Sequence, residues 1–258
     1  ETIYLLLQKD VLADVMQVLK KYIVFSKANL SDQTENLCCF SLQGEHAPAL
    51  IESVFPVSQT SYNTASVGGL HCITLPGKQP HFLLVGKPKL AEQYISQWAK
   101  SCVLKGSQEW KRSQIEAGLP EVGAKTREQF LPHNLNLHLS GGISFEKGCY
   151  TGQEVIARMH YRSTPKTALF ICTLLLTDQN LRADHIEGAH LYEMQNGQQR
   201  ALGEIINAIE AAPKQIRALI LLPKDFSLGS SASSVLILEH QSVQLSHIQL
   251  PPYAITNT

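Results

Sequence analysis

The chain has no surplus of charge of either sign, since 22 lysines and arginines face 22 aspartates and glutamates. There is therefore no overall field to draw it onto nucleic-acid phosphates or anionic membranes, which leaves only local basic patches for such contacts. Its six cysteines, at 38, 39, 72, 102, 149 and 172, show no CxxC spacing. That excludes the common zinc and redox patterns and a dense disulfide framework, and implies a reducing cytoplasm. Apolar runs such as 168–176 and 219–222 are too short to span a bilayer, and no signal-peptide pattern is present. Internal repeats and low-complexity tracts are also missing. What is present is a chain of 258 residues, 44% hydrophobic and 17% charged, enough to bury a sizeable core in one large domain or two to three small ones.

The first residue is Glu1, and it opens directly into the apolar, strand-like run 2–7, which implies that the natural chain begins earlier. Val11, Val15, Leu19 and Tyr22 recur at helical spacing, so a helix is predicted over 10–22 with Asp10 placed to cap its start. Strands are predicted over 23–30 and 37–42, then a short helix over 48–55. The runs 69–75 and 82–85 bracket a Pro76-Gly77 turn, and Leu90, Tyr94 and Trp98 mark a further helix. This order predicts an α+β unit with helices on one face of a largely antiparallel sheet. Between 108 and 162 the periodicity loosens and glycine and polar residues accumulate, as expected of a segment that carries chemistry. Beyond Pro165, strands are predicted over 167–176, 190–194, 200–208, 216–222, 235–238 and 243–248. Asn196-Gly197 is a two-residue hairpin signal, and six such strands predict a small all-β barrel or sandwich after a boundary near 162–166.

One segment stands apart. Lys147, Gly148, Cys149, Tyr150, Thr151, Gly152, Gln153 and Glu154 put a thiol between two glycines, with a cation two residues before it. Glycines let a backbone turn sharply or approach a ligand closely, and a nearby lysine favours the nucleophilic thiolate. A helix starting after Gly152 would add its N-terminal dipole to this effect. Read on its residues alone, Cys149 is equally a small packed hydrophobe beside a glycine turn, and a lone cysteine without a base favours that plainer reading. His133 and His138 are five apart and share no helical face, and no HExxH string occurs, so they read as solvated or structural.

The string KGCYTGQE resembles, without a substitution, the signature of the YgfZ family, relatives of the glycine-cleavage aminomethyltransferases. Its surroundings are similar too: IEAGLP at 115–120, Asn134-Leu135, the lead-in GGISFEKG, KKYIVFSK at 20–27 and a closing LPPY at 250–253. The likeness spans essentially the whole chain but lacks the family's N-terminal segment, which would complete the first domain and part of its ligand pocket.

The resemblance implies an α+β fold: a multi-domain ring around a channel for tetrahydrofolate, with ferredoxin-like α+β domains followed by a C-terminal β-barrel. It divides the chain into 1–105 as the remainder of the folate-binding region, 106–164 as the segment bearing the motif, and 165–258 as the barrel. It implies that Trp110 stacks on a folate ring, that Glu116 accepts paired hydrogen bonds from a pterin, and that Arg158 or Arg162 meets the glutamate tail. Each has an ordinary alternative, namely a core tryptophan, a solvated turn glutamate and surface charges. The implied function is that of a folate-binding accessory factor for iron–sulfur enzymes, including those that modify tRNA. Cys149 and Lys147 would handle a cluster or a reactive intermediate, with any cluster passing through only transiently. The implied partners are folate and iron–sulfur proteins or their assembly factors, not nucleic acid directly. The alternative is a folate-dependent aminomethyltransferase, although those enzymes lack KGCYTGQE. Direct tRNA binding would need a basic patch built from Lys20, Lys21 and Lys27 or from Lys111 and Arg112.

Overall fold

A computed structural model describes residues 2–58, 60–163, 165–177, 181–226 and 236–255. The chain divides into two compact units, Glu1–Trp110 and Lys111–Thr258.

The first unit opens with a 3-10 turn, Lys9–Val11, running into helix α1, Leu12–Tyr22. Strand β1 (Cys38–Gln43), helix α2 (Ala47–Glu52), strands β2 (Thr64–Val67), β3 (Leu70–Leu75) and β4 (His81–Gly86) and helix α3 (Pro88–Trp98) follow. The strands form an antiparallel sheet in the order β1-β4-β3-β2. On β3, Leu70, Cys72 and Thr74 are buried at every second position, as a pleated strand with one covered face requires. Leu70 and Cys72 pack with Phe82 and Leu84 of β4, Ile51 of α2, Trp98 of α3 and Phe55. Two predicted strands do not form. Ile23–Phe25 extends α1 as a 3-10 turn with Phe25 97% exposed, and residues 2–7 lie outside the sheet. Both runs have β-prone composition, but neither has a neighbouring strand to complete a hydrogen-bonded ladder, and composition alone cannot supply one.

The chain enters the second unit through helix α4, Ser107–Ala117. Residues 118–152 run without strand or α-helix, and helix α5 (Gln153–Arg162) leads to the barrel. Strand β5 (Thr167–Leu176), a short helix α6 (Ala183–Ile186) and strands β6 (His190–Gln195), β7 (Gln198–Ala212), β8 (Gln215–Pro223), β9 (Leu236–Leu238) and β10 (Gln241–Gln249) follow. They close in the order β10-β5-β8-β7-β6-β9, so the predicted barrel or sandwich is a barrel. Closure removes the unpaired edges that a small open sheet would expose. Asn196 and Gly197 take φ of 53° and 77°, as the two-residue hairpin between β6 and β7 demands.

The unbroken apolar run of β5 has a tertiary explanation. Phe170, Cys172, Leu174 and Leu176 point into the barrel core, while Leu169 and Ile171 pack outside it against Ile115 of α4 and Leu135. A strand covered on both faces loses the polar alternation of a half-buried one. Among the described residues, no helix is long and apolar enough to cross a membrane.

Candidate functional site

Several sequence landmarks meet in the second unit. Ile115 and Leu135, from IEAGLP and Asn134-Leu135, share one buried cluster with the outer face of the barrel. Asn134 donates from Nδ2 to Thr167 Oγ1 (3.1 Å) and Asn136 to the Leu169 carbonyl (3.4 Å), which ties the irregular segment to β5. From the closing LPPY, the Tyr253 hydroxyl donates to the Gly118 carbonyl at 2.6 Å. These landmarks hold the frame, and the motif is mounted on it.

The motif loop ends where Gly152, at φ 88°, precedes the first turn of α5, which contains Glu154. A helix therefore starts directly after Gly152. Lys147, Tyr150, Thr151 and Gly152 form part of the wall of a cleft of about 500 Å³, faced by Leu137, Ile143, Val155 and Ile156. The Lys147 ammonium lies 4.9 Å from the centroid of the Tyr150 ring, a cation–π distance. Cys149 is an exposed free thiol, next in the chain to the cleft-lining Tyr150.

Glu116 is bound by Arg217 of β8: Nε donates to Oε1 at 2.7 Å and a terminal nitrogen to Oε2 at 3.1 Å. This is the fork-on-fork geometry that makes arginine–carboxylate pairs strong. Arg217 also donates to Thr173 Oγ1 and the His247 carbonyl, so α4, β5, β8 and β10 are joined at one guanidinium. Trp110 is half-buried and stands edge-on to His81 in the first unit, with centroids 5.3 Å apart. Burial lowers the His81 pKa to about 4, so this imidazole is neutral at neutral pH. Arg158 and Arg162 are exposed on α5.

The two histidines at 133 and 138 come together rather than apart. Their rings lie 4.6 Å from one another, and His133, 1% exposed, is also 6.2 Å from Phe145 and 6.0 Å from His160. Neither His133 nitrogen has a hydrogen-bond partner. Burial and the neighbouring His160 hold the His133 pKa below the ordinary range, and burial pushes that of His138 down to about 4. The structural half of the expectation for this pair fits, and the solvated half is corrected for His133. Among the described residues, no group of three His, Cys, Asp or Glu side chains is arranged to hold a metal ion. Sequence reasoning did not find Arg217, Phe145 or His160, because Arg217 meets Glu116 101 positions away and Phe145 meets His160 15 positions away, and no local pattern marks them.

The fold is that of the glycine-cleavage aminomethyltransferases. The crystal structure of aminomethyltransferase T from Bartonella henselae matches with a TM-score of 0.60 at 14% identity, covering 93% of this chain and 66% of that one. Within that architecture the sequence is more specific. The chain is 32% identical over 258 positions to the tRNA-modifying protein YgfZ of Yersinia enterocolitica, covering 96% of this chain and 73% of that protein. With YgfZ of Hamiltonella defensa the identity is 31% over 225 positions, covering 86% of this chain and 65% of the relative. The chain therefore belongs to the YgfZ family, and spans about two thirds to three quarters of the length of these relatives. No protein-family model matches it.

Proposed function

We propose that this chain binds a reduced folate and, through Cys149, supports iron–sulfur enzymes, among them enzymes that modify tRNA. One observation carries the reading: the KGCYTGQE segment forms a wall of a cleft and leaves its thiol exposed on the same loop. A cleft of about 500 Å³ is of small-molecule size, and its facing apolar side chains suit a flat pteridine or aminobenzoyl ring. Lys147 supplies a cation for the carboxylates of a glutamate tail, a task that Arg158 would share. Glu116 already accepts two hydrogen bonds from Arg217, yet a carboxylate has about four acceptor positions and so keeps capacity for a pterin edge. Trp110 presents an indole of which one part remains accessible. The lining of the cleft therefore suits a folate. Bound folate would contribute a one-carbon carrier, and the chain's own part is to orient it and to keep the thiol within reach of a protein partner. That partner is an iron–sulfur protein or an assembly factor.

The likeness in fold to aminomethyltransferase T favours a second reading, folate-dependent aminomethyl transfer by the chain itself. Ammonia release from an aminomethylated carrier protein, measured with and without tetrahydrofolate, separates the two, since turnover supports only the second.

The first reading is tested by complementing a strain that lacks its own copy and measuring tRNA modification. Cys149→Ala abolishes rescue while leaving the unfolding temperature and the tetrahydrofolate isotherm unchanged. Full rescue by the alanine variant removes the thiol from the mechanism, and absence of saturable tetrahydrofolate binding by the wild type removes the folate.

A further inference from the structure

The loop that presents Cys149 is held at its two ends by rings. Within the described residues, Lys147, Gly148 and Cys149 make no hydrogen bond, and a Cβ built on Gly148 would meet nothing within 4 Å. Ordering such a segment costs backbone entropy at every residue, so something must oppose its spread.

Two residues before Lys147, the Phe145 ring stacks on the imidazole of His160 with centroids 3.8 Å apart and planes inclined by 21°. His160 lies in the last turn of α5, on the far side of the motif. Tyr161 stands edge-on to both rings, 6.2 Å from Phe145 and 4.7 Å from His160. His133 backs the pair from within the protein, and because neither of its nitrogens is hydrogen-bonded, its ring serves as packing surface. The strand of chain entering the motif is thereby fastened to the helix leaving it, and the thiol sits on the intervening span.

We infer that His160 is a positioning residue, whose stack on Phe145 fixes the loop carrying Lys147 and Cys149. The placement stands on ring geometry alone, and only its consequence for activity rests on the proposed role of the thiol. An aromatic pair of this kind acts beyond simple area burial. Any flat side chain at 160 that preserves the stack preserves the loop. Titration or metal binding at His160 is not required.

The test places a nitroxide on Cys149 in the full chain, with Cys38, Cys39 and Cys102 replaced by serine; Cys72 and Cys172 are buried and remain. Electron paramagnetic resonance well below the unfolding temperature reads the mobile fraction of the label. In His160→Ala and in Phe145→Ala that fraction rises by about two- to tenfold, the range expected when one aromatic pair is lost. The double variant rises no further than either single one, and His160→Phe keeps the parent spectrum. His160→Gln, which keeps a polar side chain without a ring, behaves like the alanine variant and guards against poor folding of the latter. An unchanged spectrum in His160→Ala and His160→Gln overturns the inference, as does a loosening in His160→Phe equal to that in alanine. Raised mobility with intact rescue of tRNA modification upholds the positioning of the loop and sinks the thiol mechanism instead.

Discussion

Removing the Glu116 carboxylate would leave the Arg217 guanidinium, whose side chain is 12% exposed, without its paired acceptor. The Glu116 side chain is 42% exposed, so water screens its side of the contact and the loss falls short of a fully buried pair. Breaking a buried pair costs about 3–5 kcal/mol and an exposed one about 0.2–1. Two charge-assisted bonds of 2.7 and 3.1 Å, with Arg217 still held by Thr173 and His247, put Glu116→Ala between these limits, at about 2 kcal/mol. For a chain of this size that lowers the unfolding temperature by roughly 4–8 °C. Glu116→Gln keeps the shape and one acceptor, and loses about half as much. Thermal unfolding followed by far-ultraviolet circular dichroism measures both, and a tetrahydrofolate titration of each variant is done well below its transition. If Glu116 acts only as the strut for Arg217, the unfolding temperature falls and the isotherm does not move. An unfolding temperature within about 1 °C of wild type refutes the strut, and affinity about tenfold weaker with unchanged stability makes Glu116 a ligand-binding residue.

Two further outcomes follow from burial and close packing. His81, 3% exposed, has a folded pKa of about 4 against an ordinary 6.5, so the unfolded chain binds its proton first as pH falls. Stability from this group is complete above about 6.5 and is lost toward about 4, on the order of 3 kcal/mol in all. His81→Phe, which keeps a ring beside Trp110, should flatten that acid limb in urea unfolding at pH 7 and pH 4.5; an equally steep fall in the variant would show that other groups cause it. At Gly203 of β7 an added Cβ would collide with the Leu221 carbonyl and come within 2.7 Å of a Leu222 methyl, so Gly203→Ala should cost about 1–3 kcal/mol, whereas Gly148→Ala, in open space, should leave the unfolding temperature near wild type. Equal thermal stability of the two would contradict the close β7–β8 packing.

Local chemistry and pattern were enough for the regular elements. The repeat of Val15, Leu19 and Tyr22 forms α1, Asn196-Gly197 turns between β6 and β7, and the six apolar runs after Pro165 become the barrel strands. Such features depend on residues within a turn or two of one another, and those distances are set by the chain itself. The same reasoning misjudged residues 2–7 and 23–30, because a strand exists only where another strand supplies its ladder.

The sequence by itself determined the α+β-then-β order and the eight-residue segment by which the family is recognised. Tertiary structure alone decided that this segment walls a cleft, that Glu116 meets Arg217 across 101 positions, and that Phe145, just before the thiol loop, meets His133 and His160. Periodicity carries no information about contacts between segments distant in the chain. Those contacts are chosen when apolar faces are buried together, which brings polar partners within reach only after the core has formed.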